Sequence, residues 1–383
     1  MANLYDYLIW RGDIPFAVRP FNAIDALVLC QLSYLNFSEI VPARFDGGIT
    51  LREAARIYAE SPVHGVPEEF GVFINPRTAD LLAYAAGTER FGNVLLVGFV
   101  NEVDRTADKQ FAALTAVLPS GGVCVVYRGT DDSIVGWKED CLLCLPEPIP
   151  SHDAAAQYFA AAAHAALCSG QPISIAGHSK GGNLALYAAG TAAASVQQRI
   201  EHVFCFDGPG FSFDIERAAG FQTIIPKTQS FIPQSSVVGV LLSYLPGHTV
   251  IESTETNTLL QHDVFSWQIL RDTFVQHSGG RSKESYFAEQ TIQSWLARLD
   301  NAERRAFIET LFQIMYCTGA ETLKELTADG IAHSMTMIKE LRTVAPERRK
   351  ELFNVLKFFF EAAYAQFPLK PALNSNDSRK VYE

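Results

Sequence analysis

A hexapeptide near the middle of the chain has the residue types of a serine nucleophile held on a tight turn. Residues 177–182 read GHSKGG, which matches the pattern glycine–any–serine–any–glycine centred on Ser179. Residues 172–176 before it predict a strand, and residues 183–194 after it predict a helix. A turn between a strand and a helix is the setting that exposes such a serine above the edge of a sheet. A glycine-rich turn with an incidental serine is the alternative interpretation.

The residues around Ser179 have physical reasons to be there. Glycine at 177 and 181 removes side chains that would clash with the neighbouring strand or helix. The backbone N–H of Lys180 opens the following helix, where it can donate to the oxyanion that forms when the serine attacks a carbonyl carbon. The pattern therefore predicts acyl transfer, with Ser179 as the nucleophile and Lys180 as an oxyanion donor.

A general base must accompany the serine, and in this kind of site the chain order is serine, acid, histidine. His262 lies after the last predicted strand, and we predict it as the base. His248 and His277 also follow the serine, so the sequence alone does not force the choice, and His248 is the second candidate. His178 adjoins the serine and must point away from it, so we expect it to pack or to form hydrogen bonds.

The acid of the site is predicted at Asp207, at the end of the predicted strand 203–206. A buried carboxylate there could accept the N–H of His262 and fix the tautomer of the ring. Three alternatives stay open: Asp207 caps the turn at Gly208, Asp263 serves as the acid, or the site has no acid.

The order of predicted elements indicates the fold class. Residues 1–60 predict helices, strands then alternate with helices from about 93 to 270, and residues 282–367 predict helices only. This order favours an α/β fold with a mostly parallel central sheet flanked by helices, and with extra N- and C-terminal helices. We predict one α/β domain over residues 1–280, a helical extension over 281–370 and a flexible tail over 371–383.

Three further segments have weaker signals. Residues 131–150 follow a predicted strand and mix apolar and charged side chains, so they predict a loop that either covers an apolar acyl pocket or packs against the sheet. Cys141 and Cys144 form a lone C-x-x-C, for which we predict apolar packing and no metal or redox role. Residues 358–360, all phenylalanine, lie on a predicted helix and indicate core or helix–helix contact.

Composition and charge exclude several classes of protein. The formal net charge of −11 argues against a nucleic-acid partner, which requires a basic face. Apolar runs are too short for a membrane span, and the first residues lack the basic and apolar regions of a signal peptide. Seven cysteines do not suggest a disulfide framework. We therefore expect a cytoplasmic protein with no transmembrane segment, cofactor or metal, and the oligomeric state stays open.

Part of the chain resembles the class 3 lipase branch of the α/β-hydrolases. Residues 125–131, VVYRGTD, are similar to the strand and oxyanion segment of that branch, and Trp137 and Asp140 follow at similar spacing. Residues 177–182 are similar to its nucleophile turn, with Lys180 where those lipases usually carry an apolar residue. The segment in which those lipases carry the acid reads SFIPQSSV here, without a carboxylate.

Nearly the whole chain resembles the Mbeg1-like family of bacterial lipase-like proteins. The blocks that carry the resemblance lie at 24–25, 128–131, 177–183, 207–211, 233–239 and 261–263. The resemblance implies an α/β-hydrolase fold and places Thr130 in the oxyanion hole, through its backbone N–H and with its hydroxyl as a further candidate donor. Lys180 supplies the second backbone donor. A plain turn at 128–130 is the alternative.

These observations predict a serine hydrolase that cleaves carboxylic esters through an acyl-enzyme on Ser179, with a small-molecule acyl ester, lipids included, as substrate. Esters rather than peptides follow from the lipase resemblance alone. A catalytically silent binding or scaffold protein on the same fold is the main alternative. An acyltransferase or thioesterase that uses the same serine is another, which product analysis with competing alcohols would reveal.

Overall fold

An eight-stranded sheet forms the centre of the computed structural model, which describes residues 2–61, 75–245, 247–328 and 330–366. The strands lie side by side in chain order. Their bounds are Ile49–Thr50 (β1), Leu95–Asp104 (β2), Lys109–Val117 (β3), Val123–Tyr127 (β4), Ile173–His178 (β5), Ile200–Phe206 (β6), Thr228–Pro233 (β7) and Thr249–Ile251 (β8). A separate antiparallel pair is formed by Ile269–Leu270 (β9) and Thr273–Phe274 (β10).

The strands run antiparallel from β1 to β4 and parallel from β4 to β8. Short turns join β2, β3 and β4, whereas the parallel strands are joined by longer connections, as parallel pairing requires. The register places Tyr127 beside Gly177 and His178 beside Phe206, so the carboxyl ends of β4, β5 and β6 lie at one edge of the sheet. The predicted mostly parallel sheet is confirmed, with an antiparallel N-terminal part that the sequence did not indicate.

Helices cover both faces of this sheet. In the part of the chain that the structure describes, their bounds are Leu4–Arg11 (α1), Ala23–Leu32 (α2), Leu51–Glu60 (α3), Arg77–Gly87 (α4), Glu89–Gly92 (α5), Ile134–Leu142 (α6), Pro150–His164 (α7), Lys180–Thr191 (α8), Ala194–Arg199 (α9), Phe221–Ile224 (α10), Lys283–Leu296 (α11), Asn301–Tyr316 (α12), Leu323–Ala328 (α13), Gly330–Thr343 (α14) and Pro346–Gln366 (α15). The predicted N- and C-terminal helices are therefore present.

Alternate residues of the central strands enter two separate cores. Cys124 and Val126 of β4 pack with the N-terminal helices, whereas Val123 and Val125 pack with α7 and α8 on the opposite face. All of these side chains are buried, which explains why β4 reads as a continuous apolar run instead of an alternating one. The result is three layers, with helices on both sides of the sheet.

A buried ion pair joins the N-terminal helices. Arg90 of α5 binds Asp25 of α2 at 2.6 Å, and both side chains are almost fully buried. Tyr7 of α1 donates its hydroxyl to the same carboxylate at 2.7 Å, and Arg90 also donates to the backbone carbonyl of Ile14. This network connects three helices and assigns a structural role to the block at residues 24–25.

Several predicted elements differ from the structure. The segment 131–150, predicted as a loop, contains helix α6, which begins at Ile134 after the capping residue Ser133. The last residue of that segment, Pro150, is the first residue of helix α7, since proline is tolerated in the first turn. The short strands β8, β9 and β10 were not predicted.

Some of the sequence predictions stay untested. The flexible tail at 371–383 and the side chains of residues 358–360 lie outside the described residues. The domain boundaries stay predictions. All seven cysteines are free thiols. Within the described residues, no helix has the length and apolar character needed to cross a membrane.

Candidate active site

Ser179 lies on a strained turn between β5 and α8. Its backbone has φ of 59° and ψ of −134°, a conformation that side-chain-bearing residues rarely adopt. A Cβ atom at Gly177 would lie 2.0 Å from the carbonyl oxygen of Gly181, and one at Gly181 would lie 2.1 Å from that of Tyr127. The two glycines thus allow the turn to pack this closely against the sheet, as the sequence pattern predicts.

Asp207 and His262 are joined by a hydrogen bond. The Nδ1–H of His262 donates to Oδ2 of Asp207 at 2.6 Å, while the hydroxyl of Ser236 and the backbone N–H of Gly239 donate to Oδ1. Burial opposes ionisation of Asp207, but the hydrogen bonds from His262 and Ser236 outweigh it and hold the pKa of this carboxyl below its usual value. Because an ionised carboxylate only accepts, Nδ1 of His262 carries its proton and Nε2 is left as a base.

The position of Asp207, the predicted acid, differs from that of the acid in the class 3 lipases that the chain resembles. Ser236 lies in the loop after β7, in the segment where those lipases carry a carboxylate, and its hydroxyl donates to Asp207, which directly follows the neighbouring strand β6. Asp263, the alternative acid, accepts from Asn75 at 2.7 Å and caps the turn at Phe265. Asp207 is therefore the carboxylate that contacts the imidazole of His262.

Ser179 and His262 border the same cavity. Among the described residues, no hydrogen bond joins the hydroxyl of Ser179 to His262 or to another group. Hydrogen bonds of this kind are often long in ligand-free sites and form fully only when substrate is bound. The histidine side chain is 25 % exposed, so substrate can reach it from the cavity.

His178 packs against His262, the predicted base. Its ring stacks on that of His262 with centroids 4.5 Å apart, and its Nε2 lies 3.0 Å from the carbonyl oxygen of His262. A carbonyl can only accept, so Nε2 carries the proton and Nδ1 accepts from the hydroxyl of Tyr34 at 3.0 Å. Burial and the neighbouring His262 lower the pKa of His178 to about 3, so this ring stays neutral.

The other two histidine candidates lie elsewhere. His248 pairs with the hydroxyl of Ser230 at 2.7 Å, and His277 lies 3.5 Å from Glu252. Neither residue borders the cavity that contains Ser179.

Two backbone donors flank the serine. The N–H groups of Thr130 and Lys180 donate to no acceptor within the described part of the chain, and both residues border the cavity. The hydroxyl of Thr130 donates to Asp140 at 2.6 Å, so its backbone N–H, and not its hydroxyl, is available to an oxyanion. Burial raises the pKa of Asp140 to about 6.

The side chain of Lys180 forms a buried network that the sequence did not reveal. Its ammonium group binds Glu139 of α6 at 2.8 Å and donates to the carbonyl and side-chain oxygens of Gln110 at 2.8 and 2.7 Å. The side chains of Lys180 and Glu139 are 1 % and 0 % exposed. The only sequence signal was a lysine where an apolar residue is usual, and nothing local identified its partner.

The cavity beside Ser179 has a volume of about 870 Å³ and mostly apolar walls. Besides the residues above, its lining includes side chains from α6, from the loops after β7 and β8, and from α11 and α12. These are Trp137, Cys141, Leu143, Cys144, Val238, Leu241, Leu242, Leu259, Leu260, Ile292, Trp295, Leu296, Leu299, Arg304, Phe307 and Ile308. Cys141 and Cys144 thus line a cavity, and within the described residues no cluster suited to a metal ion is found.

The sheet order and the strained serine between β5 and α8 define an α/β-hydrolase fold. Within that class the chain belongs to the Mbeg1-like family, whose model matches residues 85–313. The crystal structure of M37 lipase is a structural neighbour, with 12% sequence identity and a TM-score of 0.35, and the match covers 66% of this chain and 84% of that one. No curated protein matches the chain in sequence.

Proposed function

We propose that this protein is a serine hydrolase that cleaves carboxylic esters through an acyl-enzyme on Ser179. The observation that carries the proposal is the 2.6 Å hydrogen bond between Asp207 and His262. It fixes the tautomer in which Nε2 of His262 can accept a proton, at the border of the cavity that also contains the strained serine.

The proposed reaction has two halves. His262 takes the proton of Ser179 as its oxygen attacks the ester carbonyl, and the backbone N–H groups of Thr130 and Lys180 stabilise the oxyanion. The ester bond breaks, His262 gives the proton to the leaving alcohol, and the acyl group stays on the serine. Water, deprotonated by His262, then releases the acid and restores the enzyme. No step requires a metal or cofactor.

A fluorophosphonate probe tests this proposal, because it reacts with a serine only when a base and an oxyanion hole activate it. We expect covalent labelling of the wild-type protein at Ser179 and none of the Ser179→Ala variant, which loses hydrolysis of simple esters as well. Ser253 is a suitable control, since its hydroxyl is buried against Ser266 away from the site, and Ser253→Ala should still be labelled.

A catalytically silent binding protein on the same fold is the second candidate. The observation that favours it is the lack of a hydrogen bond between Ser179 and His262 among the described residues. In that case the probe labels no serine, no ester is hydrolysed, and the cavity still binds an apolar ligand.

A further inference from the structure

We infer that the C-terminal helices α11 and α12 form the wall of a pocket for a long acyl chain, and that side chains of this wall set the acyl length accepted. The inference rests on the proposed ester hydrolysis at Ser179 and assigns its substrate class, fatty acyl esters. Six apolar residues of this region border the cavity that contains the serine: Ile292, Trp295, Leu296, Leu299, Phe307 and Ile308.

The wall is held in place by specific contacts. The indole N–H of Trp295 donates to the carbonyl of Val355 in α15 at 3.0 Å, and the ring of Phe307 meets the Trp295 ring edge-on, with centroids 5.8 Å apart. A wall residue whose ring is fixed in this way presents a defined surface to a ligand, in contrast to a mobile side chain.

Helix α11 crosses the site from the side of the acid to the side of α6. At its start, the hydroxyl of Ser285 donates to the carbonyl of Ser236, the residue that supports Asp207. At its end, Arg304 of α12 donates to the carbonyl of Leu296 at 2.7 Å and to that of Cys144, beyond α6, at 3.0 Å. The wall residues therefore lie toward the α6 side.

This placement distinguishes the acyl chain from the leaving alcohol. The alcohol must receive its proton from His262, so it departs on the side of the histidine. The carbonyl oxygen points at the N–H groups of Thr130 and Lys180. The apolar lining that the second half of α11 and α12 contribute is assigned to the acyl chain.

The chemistry of the wall fits an uncharged chain. Arg304 is the charged residue that α11 and α12 contribute to the lining, as far as the structure describes them, and its two terminal nitrogens donate to backbone carbonyls. Each methylene transferred from water into such a wall contributes about fourfold to the binding constant. A cavity of about 870 Å³ is large enough for drug-sized apolar ligands.

The experiment measures kcat/KM for p-nitrophenyl esters that share one leaving group and differ in acyl length from acetyl to dodecanoyl. The wild-type protein should prefer dodecanoyl over acetyl by at least about tenfold. The variants Ile292→Trp and Leu296→Trp fill the wall and should lower this ratio by about tenfold or more. Gln293→Trp places the same bulk on the exposed side of α11 and should keep the wild-type ratio.

Three results would overturn the inference. One is a dodecanoyl-to-acetyl ratio of kcat/KM that falls equally in Gln293→Trp and in the wall variants. Another is a ratio that stays unchanged in all of these variants. The third is faster hydrolysis of a dodecanoyl ester with a terminal carboxylate than of plain dodecanoate, because Nε of Arg304 is buried without an acceptor in the described residues and could then serve an anion.

Binding separates this inference from the proposed catalysis. Displacement of a fluorescent fatty acid by dodecanoate, measured on Ser179→Ala, needs no reaction. We expect displacement that weakens about tenfold when Ile292→Trp is added, and failure of the wild-type protein to hydrolyse any ester would then reject the catalysis alone. No displacement from Ser179→Ala would reject the acyl pocket, whatever the hydrolysis assay shows.

Discussion

The two stacked imidazoles carry their protons on opposite nitrogens. His262 keeps a proton on Nδ1 because Asp207 accepts it, whereas His178 keeps one on Nε2 because the carbonyl of His262 accepts it. Burial, together with the neighbouring His262, lowers the pKa of His178 to about 3, and a second positive charge 4.5 Å from the first is unfavourable. In the proposed reaction, His262 and not His178 is therefore the ring that takes the proton of Ser179.

The hydrogen bond from His262 to Asp207 predicts what happens when the carboxylate loses its charge. Asp207→Asn keeps the size of the side chain but no longer favours the tautomer with a free Nε2, so kcat should fall by about 10⁴-fold. Circular dichroism and the unfolding midpoint should show a folded protein. The measurement is kcat on a p-nitrophenyl ester.

Asp263→Asn is the matched control for this prediction. Asp263 is the next residue after His262 and pairs with Asn75 instead of the imidazole, so its replacement should leave kcat within about threefold of the wild-type value. If Asp263→Asn abolished turnover and Asp207→Asn preserved it, the assignment of the acid would be wrong.

Sequence patterns predicted the elements around Ser179 well because their signals are local. The apolar run of β5, the glycine turn and helix α8 follow one another without interruption, and β4 and β6 are equally compact runs. The two- and three-residue strands β8, β9 and β10 are too short to show an alternation of apolar and polar residues. Helix α6 was missed because its hydrophobic pattern is weak: it buries charged Lys138 and Glu139 besides its apolar residues.

Contacts between elements that lie far apart in the chain could not be predicted from the sequence. Glu139 of α6 and Lys180 of α8 are 41 residues apart, and no local pattern pairs them. Asp207 could be proposed because it ends a strand, but its support by Ser236 depends on β6 and β7 being neighbours. The site residues at strand ends were therefore predictable as candidates, whereas their partners required the fold.

The ion pair between α6 and α8 supports a prediction at the scale of elements. Lys180→Met leaves Glu139 charged and buried without its cation, so the free energy of unfolding should fall by about 3–5 kcal/mol. Lys180→Met combined with Glu139→Gln removes both charges and should recover a large part of that loss. Urea unfolding of the two single variants and the double variant measures the coupling.

An exposed ion pair provides the comparison. Arg56 and Glu60 lie on the surface of α3, where water screens the charges, so Arg56→Met should not shift the urea midpoint measurably. Additive losses in the double variant, with no recovery, would show that Lys180 and Glu139 act separately.

At the scale of the whole molecule, the cavity joins segments that lie far apart in the chain. Gln31 and Tyr34 come from the N-terminal part of the chain, Ser179 from the centre, and Trp295 from the C-terminal helices. The lining therefore comes from both sides of the predicted boundary at residue 280. No sequence signal indicated this, because an amphipathic helix shows that one face is buried but not which cavity it closes.

Buried neutral histidines make the stability of the whole molecule depend on pH. Burial lowers the pKa of His152 to about 4, and that of His178 to about 3 with His262 contributing, whereas an unfolded chain binds these protons near pH 6.5. As the pH falls from 6.5 toward 4 the unfolded state therefore gains protons that the folded state lacks, and the free energy of unfolding should fall by up to about 1.4 kcal/mol per pH unit for each ring. Asp140, whose pKa burial raises to about 6, opposes this effect. Urea unfolding at pH 7 and pH 5 measures how the free energy of unfolding changes with pH. His152→Gln should reduce this change, whereas His164→Gln, at the exposed end of the same helix, should not. Equal changes in the wild-type protein and both variants would show that His152 is already charged in the folded protein.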